Sequence, residues 1–208
     1  MPEMNFKTEQ EAFWAGEFGN EYVSRNRGEH LAAGNLALFS KILSSASRIG
    51  SVIEFGANIG LNLMALKQLL PEADLSAIEI NEMAVKMLSE IGPVRIYHQS
   101  ILDFQVDQER DLVLIKGVLI HIHPEMLPEV YDRLYHSSRR YICLVEYYNP
   151  TPVTVPYRGH SERLYKRDFA GEMLDRFADL RLVNYGFSYR RDPNFPQDDL
   201  TWFLLEKS

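Results

Sequence analysis

Glu54, Gly56, Asn58 and Gly60, followed nineteen residues later by Glu79, are the residues whose types and spacing point most directly to chemistry. The run Ser51-Val52-Ile53-Glu54-Phe55 has the pattern of a short buried strand, and Leu61-Asn62-Leu63-Met64-Ala65-Leu66 that of a helix. The glycines therefore lie on a strand–turn–helix, which presents backbone N–H groups and a positive helix end to a ligand. Counting G-x-G-x-x-G from Gly56 puts Asn58 and Leu61 at the second and third glycine positions. The second glycine is the one that lets backbone approach a pyrophosphate, so its absence counts against a dinucleotide. Glu79 ends the apolar run Leu75-Ser76-Ala77-Ile78, at the offset where nucleoside-binding folds place an acid for the ribose hydroxyls. The simpler alternative is a ligand-free turn, with Glu79 as an exposed residue opening the next helix.

The other strand tips extend the set, because ligands of open α/β sheets lie outside the carboxyl ends of the strands. The second tip adds Ile80, and the third gives Ser100 and Ile101 within His98-Gln99-Ser100-Ile101-Leu102. The fourth runs Lys116-Gly117-Val118-Leu119-Ile120-His121-Ile122-His123. His121 is the best-placed general base, since an unperturbed imidazole titrates close to neutral pH. It has an equal alternative as a packing residue beneath the loop, and His123 reads as a helix-start residue. Two histidines only two residues apart do not form a metal-ligand set. The fifth strand leads through Tyr147 into residues 149–168, which show no periodicity and predict a substrate-side loop. Tyr157, Arg158, His160 and Lys166 there suit a small anionic acceptor; the alternative is a solvated loop held down by its tyrosines.

The elements that must position these residues alternate as in a doubly wound sheet. Strands are expected at 51–56, 74–80, 94–98, 111–116 and 140–147, with helices at 60–70, 82–91 and 124–138. Pro71 and Gly92-Pro93 stop the first two helices, and Pro124 starts the third. A helix at 168–177 follows, then two strands at 181–189 and 200–206 joined by the polar turn Arg190-Arg191-Asp192-Pro193-Asn194. The expected class is therefore α/β, with seven strands and a closing hairpin. Upstream, Glu29 to Ala46 carries one apolar helix stripe. The segment Phe13 to Tyr22 is dense in aromatics and glycine. Trp14 and Phe18 suit core packing, while Tyr22, Arg25 and Asn26 suit a flap over a ligand mouth. With no repeat or linker, residues 1–208 read as one domain, made of an N-terminal helical cap (1–48) and a sheet core (49–208).

Composition narrows the class. The 208 residues are 46% hydrophobic and 25% charged, with a net charge of −7. No lysine–arginine run exceeds two residues, and nucleic acid rewards clustered cations, so it is a poor candidate partner. No apolar run approaches the roughly 20 residues that span a bilayer. The first residues lack the pattern of a signal peptide. The single cysteine, Cys143, sits in a strand pattern and fits a reducing cytoplasm.

Glu54-x-Gly56-x-x-x-Gly60 resembles motif I of class I S-adenosylmethionine-dependent methyltransferases. That resemblance implies a Rossmann-like seven-stranded sheet with the last strand antiparallel between its neighbours, and S-adenosyl-L-methionine as cofactor. It implies cofactor contacts from Tyr22, Arg25, Glu54, Gly56, Asn58, Gly60, Glu79, Ile80, Ser100, Ile101, Lys116 and Gly117. The family pattern usually has an acid near the third strand tip, facing adenine; Ser100 and Ile101 stand there instead. The fourth tip flanks the transferring methyl, which suits His121. Longer pieces resemble the methylases associated with pseudaminic acid biosynthesis: Phe13 to Tyr22 with Arg25-Asn26, Glu54 to Asn62, Lys116 to His121, Tyr157-Arg158-Gly159-His160, and Phe195-Pro196-Gln197-Asp198-Asp199 through Trp202-Phe203. This implies a small polar acceptor of nonulosonate type, contacted by Tyr147, Tyr157, Arg158, His160 and Lys166. Two rivals remain: a methyltransferase of RNA or protein, and a non-catalytic cofactor-binding module or nucleotide-sugar oxidoreductase.

Overall fold

The computed structural model describes residues 6–25, 29–157 and 160–208, with the backbone alone for 29–30 and 160–163. Helices α1 (Glu9–Ala15), α2 (Glu17–Arg25) and α3 (Glu29–Leu43) precede the sheet. Thr8 and Glu11 close a capping box on α1: the Thr8 hydroxyl accepts the Glu11 N–H at 3.2 Å, and the Glu11 carboxylate accepts the Thr8 N–H at 2.8 Å. Gly19 lets α2 cross close to α1, since a Cβ there would fall 1.9 Å from the Trp14 carbonyl oxygen.

The chain then alternates: β1 (Ser51–Phe55), α4 (Leu61–Leu69), β2 (Asp74–Glu79), α5 (Glu82–Leu88), β3 (Val94–His98), β4 (Arg110–Lys116), α6 (Leu127–Ser137) and β5 (Ser138–Glu146). These five strands pair in parallel in the order β3-β2-β1-β4-β5. β1, β2, β4 and β5 are largely buried and carry apolar runs because helices cover both faces, whereas edge strand β3 stays half-exposed. Alternate residues serve opposite layers. Ile53, Phe55, Val113, Ile115 and Ile142 pack with Val130 and Leu134 of α6, whereas Val52, Leu112, Leu114 and Val145 pack with Phe39 and Ile42 of α3 and Leu63 of α4. A 3₁₀ turn at Pro124–Met126 precedes α6, so the helix expected from 124 begins at Leu127.

The segment 149–168 departs from the expected irregular loop. β6 (Val153–Tyr157) and β7 (His160–Lys166) form a separate two-stranded antiparallel sheet. β-branched Val153, Thr154 and Val155 pair with Lys166, Tyr165 and Leu164, and the register shifts around Pro156. Pro152 and Pro156 broke the strand signal in the sequence; a proline at an isolated edge costs little because no ladder bond needs its missing N–H.

α7 (Phe169–Arg176), β8 (Leu180–Ser188) and β9 (Leu200–Lys207) close the fold. β9 lies antiparallel between β5 and β8, giving the order β3-β2-β1-β4-β5-β9-β8. Among the described residues, no helix is long and apolar enough to cross a membrane.

Candidate functional site

A cavity of about 510 Å³ opens at the carboxyl ends of β1 to β4, within the size range of small-molecule sites. The strand tips supply Gly56, Ala57, Asn58, Glu79, Ile80, Ser100, Ile101, Lys116, Gly117 and His121. Glu11, Trp14 and Tyr22 wall it from the N-terminal helices, Asn35 from α3, and Gln197 and Asp198 from the β8–β9 connection.

The turn after β1 is shaped by left-handed backbone. Gly56 and Gly60 have φ of +76° and +82°, and Asn58, a residue that tolerates this region, has φ of +49°. Glu79 fixes the turn against β2: Oε2 accepts the Asn58 N–H at 2.7 Å and Oε1 accepts the Asn81 N–H at 2.8 Å. Burial pushes the Glu79 carboxyl up from its ordinary range, and the Asn81 and Asn58 N–H groups oppose that shift. The Ile80 N–H faces the carboxylate as well, and of its roughly four acceptor positions one stays open to a ligand hydroxyl.

Glu54 and Gly60 do not join the cavity wall. Glu54 is wholly buried behind the turn, where its Oε1 accepts the Asn62 side-chain N–H at 2.6 Å. Its Oε2 has no partner, and burial pushes the carboxyl up to about 8 against the opposing effects of Asn62 and Lys116. Asn62 faces the cavity in its place. A Cβ on Gly60 would lie 2.5 Å from Leu88 Cδ1 and 2.6 Å from Ile91 Cδ1, so this glycine serves helix packing.

Lys116, Asn35 and Gln197 form a polar corner. The Lys116 ammonium donates to Asn35 Oδ1 at 3.1 Å, and Gln197 Nε2 donates to the same oxygen at 3.1 Å. Gln197 Oε1 is buried without a donor. Burial pushes the Lys116 pKa down, opposed by Glu54, Asp198 and Glu146. A cation beside an orphaned acceptor matches the carboxylate and ammonium of an amino-acid group.

His121 ends a 3₁₀ turn, Leu119–His121, held from below by Glu146. Glu146 Oε1 accepts the N–H groups of Val118 and Leu119, both at 2.9 Å. Burial pushes the Glu146 carboxyl up to about 7, against those N–H groups. The His121 side chain, 8% exposed, lies between the Trp14 ring at 4.6 Å and the Tyr157 ring at 4.9 Å. His123 also lines the cavity, and its ring accepts the Glu125 N–H at 3.4 Å as a helix-start residue does.

Other expected residues lie elsewhere. Arg25 is exposed on α2, 3.4 Å from Glu21 and 5.5 Å over the Phe18 ring, so it is engaged away from the cavity wall. Tyr157 packs its ring 4.9 Å from that of His121 and does not line the cavity, and Tyr147 bonds Asp198 while Lys166 sits 4.8 Å over its ring. Arg158 and the side chain of His160 fall outside the described residues. Sequence reading missed Glu11, Asn35 and Asn62 as wall residues and took Trp14 for core. The Thr8-x-x-Glu11 capping pattern was the visible trace of the first.

Solved structures of similar fold have known ligands. The plantazolicin methyltransferase BpumL, in complex with SAH, aligns with a TM-score of 0.65 at 16% identity, over 96% of this chain and 94% of that one. The Burkholderia thailandensis 1,6-didemethyltoxoflavin-N1-methyltransferase, with bound 1,6-didemethyltoxoflavin and S-adenosylhomocysteine, gives 0.69 at 14% identity over 96% and 87%. The glycopeptide N-methyltransferase MtfA, complexed with S-adenosyl-L-methionine, gives 0.63 at 10% identity over 84% and 94%. The fold is that of the class I methyltransferases. No protein-family model and no curated protein matches the chain.

Proposed function

We propose that this class I methyltransferase fold binds S-adenosyl-L-methionine and methylates an oxygen or nitrogen of a small polar metabolite. The observation that carries the reading is that the Glu79-clamped turn and buried His121 at the β4 tip line one cavity. S-adenosyl-L-methionine supplies a sulfonium methyl and departs as a neutral thioether. Glu79 takes a ribose hydroxyl, while the turn at Gly56, Ala57 and Asn58 faces the methionine part. Lys116 and Gln197 Oε1 receive the carboxylate and ammonium. His121 removes the acceptor's proton. Trp14 and Tyr157 flank its ring, exclude water and fix its orientation.

The acceptor is a small surface-sugar intermediate of nonulosonate type in this reading, which rests on the resemblance of the N-terminal and 157–160 segments. Arg190 and His123 on the cavity wall suit an anionic group there. An RNA or protein acceptor fits less well with a net charge of −7 and no basic run. The reading places the whole chain in the cytoplasm as one catalytic unit, working on small-molecule substrates.

Calorimetry with S-adenosylhomocysteine and with NAD tests the cofactor. Binding of the first alone is expected, and binding of NAD alone overturns the proposal. Turnover of labelled methyl donor with fractionated cell extract then separates an enzyme from a silent binder.

A further inference from the structure

We infer that Glu11, carried on α1, is the residue that reads the amino group of the cofactor's adenine; this rests on the cofactor reading above. A nucleoside whose sugar sits on Glu79 directs its base over the adjacent strand tip. β2 and β3 are paired with Glu79 opposite His98, and the Gln99 N–H donates to the Glu79 carbonyl at 3.1 Å. The base therefore lies beside Ser100, Ile101 and Leu102, with Ile80 lining the same wall. None of these side chains carries an acid.

Glu11 supplies one from 89 residues away in sequence. Its Oε1 accepts the Ser100 hydroxyl, and that hydroxyl in turn accepts the Leu102 N–H at 3.0 Å. Its Oε2 accepts the N–H groups of Lys7 at 2.7 Å and Thr8 at 2.8 Å, and the Thr8 hydroxyl at 3.2 Å. The side chain is 8% exposed, and Glu11 lines the cavity. A group surrounded by donors acts as an acceptor only. Oε1 retains acceptor capacity beyond the Ser100 bond. An exocyclic amine satisfies that demand, whereas the carbonyl of hypoxanthine at the same position repels it. Base recognition thus comes from the N-terminal helix and not from the β3 tip.

The test compares S-adenosylhomocysteine with S-inosylhomocysteine by calorimetry on the full chain. The wild type is expected to prefer the adenine compound about tenfold or more, the scale of a hydrogen bond to a charged group. In Glu11→Gln the preference is expected to fall below about threefold, because the amide can rotate to donate to the carbonyl. Glutamine also serves at this capping-box position, so α1 persists. Glu11→Asp keeps the charge but shortens the reach, and it should lose the preference as well, with a melting curve confirming its fold. Undiminished discrimination in both variants overturns the inference while leaving the cofactor reading intact. Failure of the wild type to bind either compound removes both.

Discussion

Glu79 accepts the backbone N–H of Asn58 at 2.7 Å, so one carboxylate ties the tip of β2 to the turn after β1. The residue that would hold the ribose also sets the loop that would face the methionine. Glu79→Ala is therefore expected to weaken S-adenosylhomocysteine binding by about 1.5–3 kcal/mol, the range for hydrogen bonds to a charged group. Calorimetry reads this directly, and unchanged affinity would rule out the ribose role.

His121 sits at the β4 tip with aromatic rings on either side. If it removes the acceptor proton, His121→Ala lowers turnover by about 10²–10⁴-fold, the usual worth of general-base catalysis. Cofactor affinity should change little, because the expected cofactor contacts lie on other residues. A normal rate would leave His121 as packing only.

Gly60 and Gly92 share left-handed backbone, with φ of +82° and +119°, but differ in their surroundings. A Cβ on Gly60 meets Leu88 and Ile91 below 3 Å, whereas one on Gly92 meets nothing within 4 Å. Both alanine variants bear backbone strain, and Gly60→Ala adds overpacking of about 1–3 kcal/mol. Denaturant unfolding should show Gly60→Ala as the less stable of the two by that margin. Equal stabilities would mean that α5 yields without cost.

Buried acids give stability a slope with pH. Glu54 titrates near 8 in the folded chain against an ordinary 4.5, because burial favours its neutral form. The unfolded chain releases that proton first. The stability linked to Glu54 is complete below about 4.5 and is lost as pH rises to about 8, at no more than about 1.4 kcal/mol per pH unit. Glu146, pushed up to about 7, acts in the same sense over a narrower window. Lys116, pushed down by burial, acts oppositely at pH values below its ordinary 10.5. Glu54→Gln should flatten the loss between pH 7 and 8 and leave the Glu146 part in place. An unaltered profile would show Glu54 to be ionised in the folded protein.

The sheet was legible because strands buried on both faces leave short apolar runs, such as Val52-Ile53 and Leu112-Val113-Leu114-Ile115, set between breaker residues. The β6–β7 pair was hidden because Pro152 and Pro156 interrupt the strand pattern, although Pro152 precedes β6 and Pro156 falls where the register shifts. At the site, Gly56, Asn58 and Glu79 were readable from local spacing. Glu11 and Gln197 were not, since their partners Ser100 and Asn35 stand 89 and 162 residues away. Glu54 was expected at the site from the motif, yet its carboxylate is buried in the interior against Asn62. Arg25 sat beside cavity residues in sequence, but α2 presents it on the far side from Val23.

The insertion of β9 between β5 and β8 constrains the order of assembly during synthesis. β8 leaves the ribosome with no strand beside it, and β5 keeps an open hydrogen-bonding edge, until residues 200–207 have emerged. An exposed edge of this kind is a template for mispairing with other chains. A nascent chain halted before Leu200 would therefore be a natural client for chaperones.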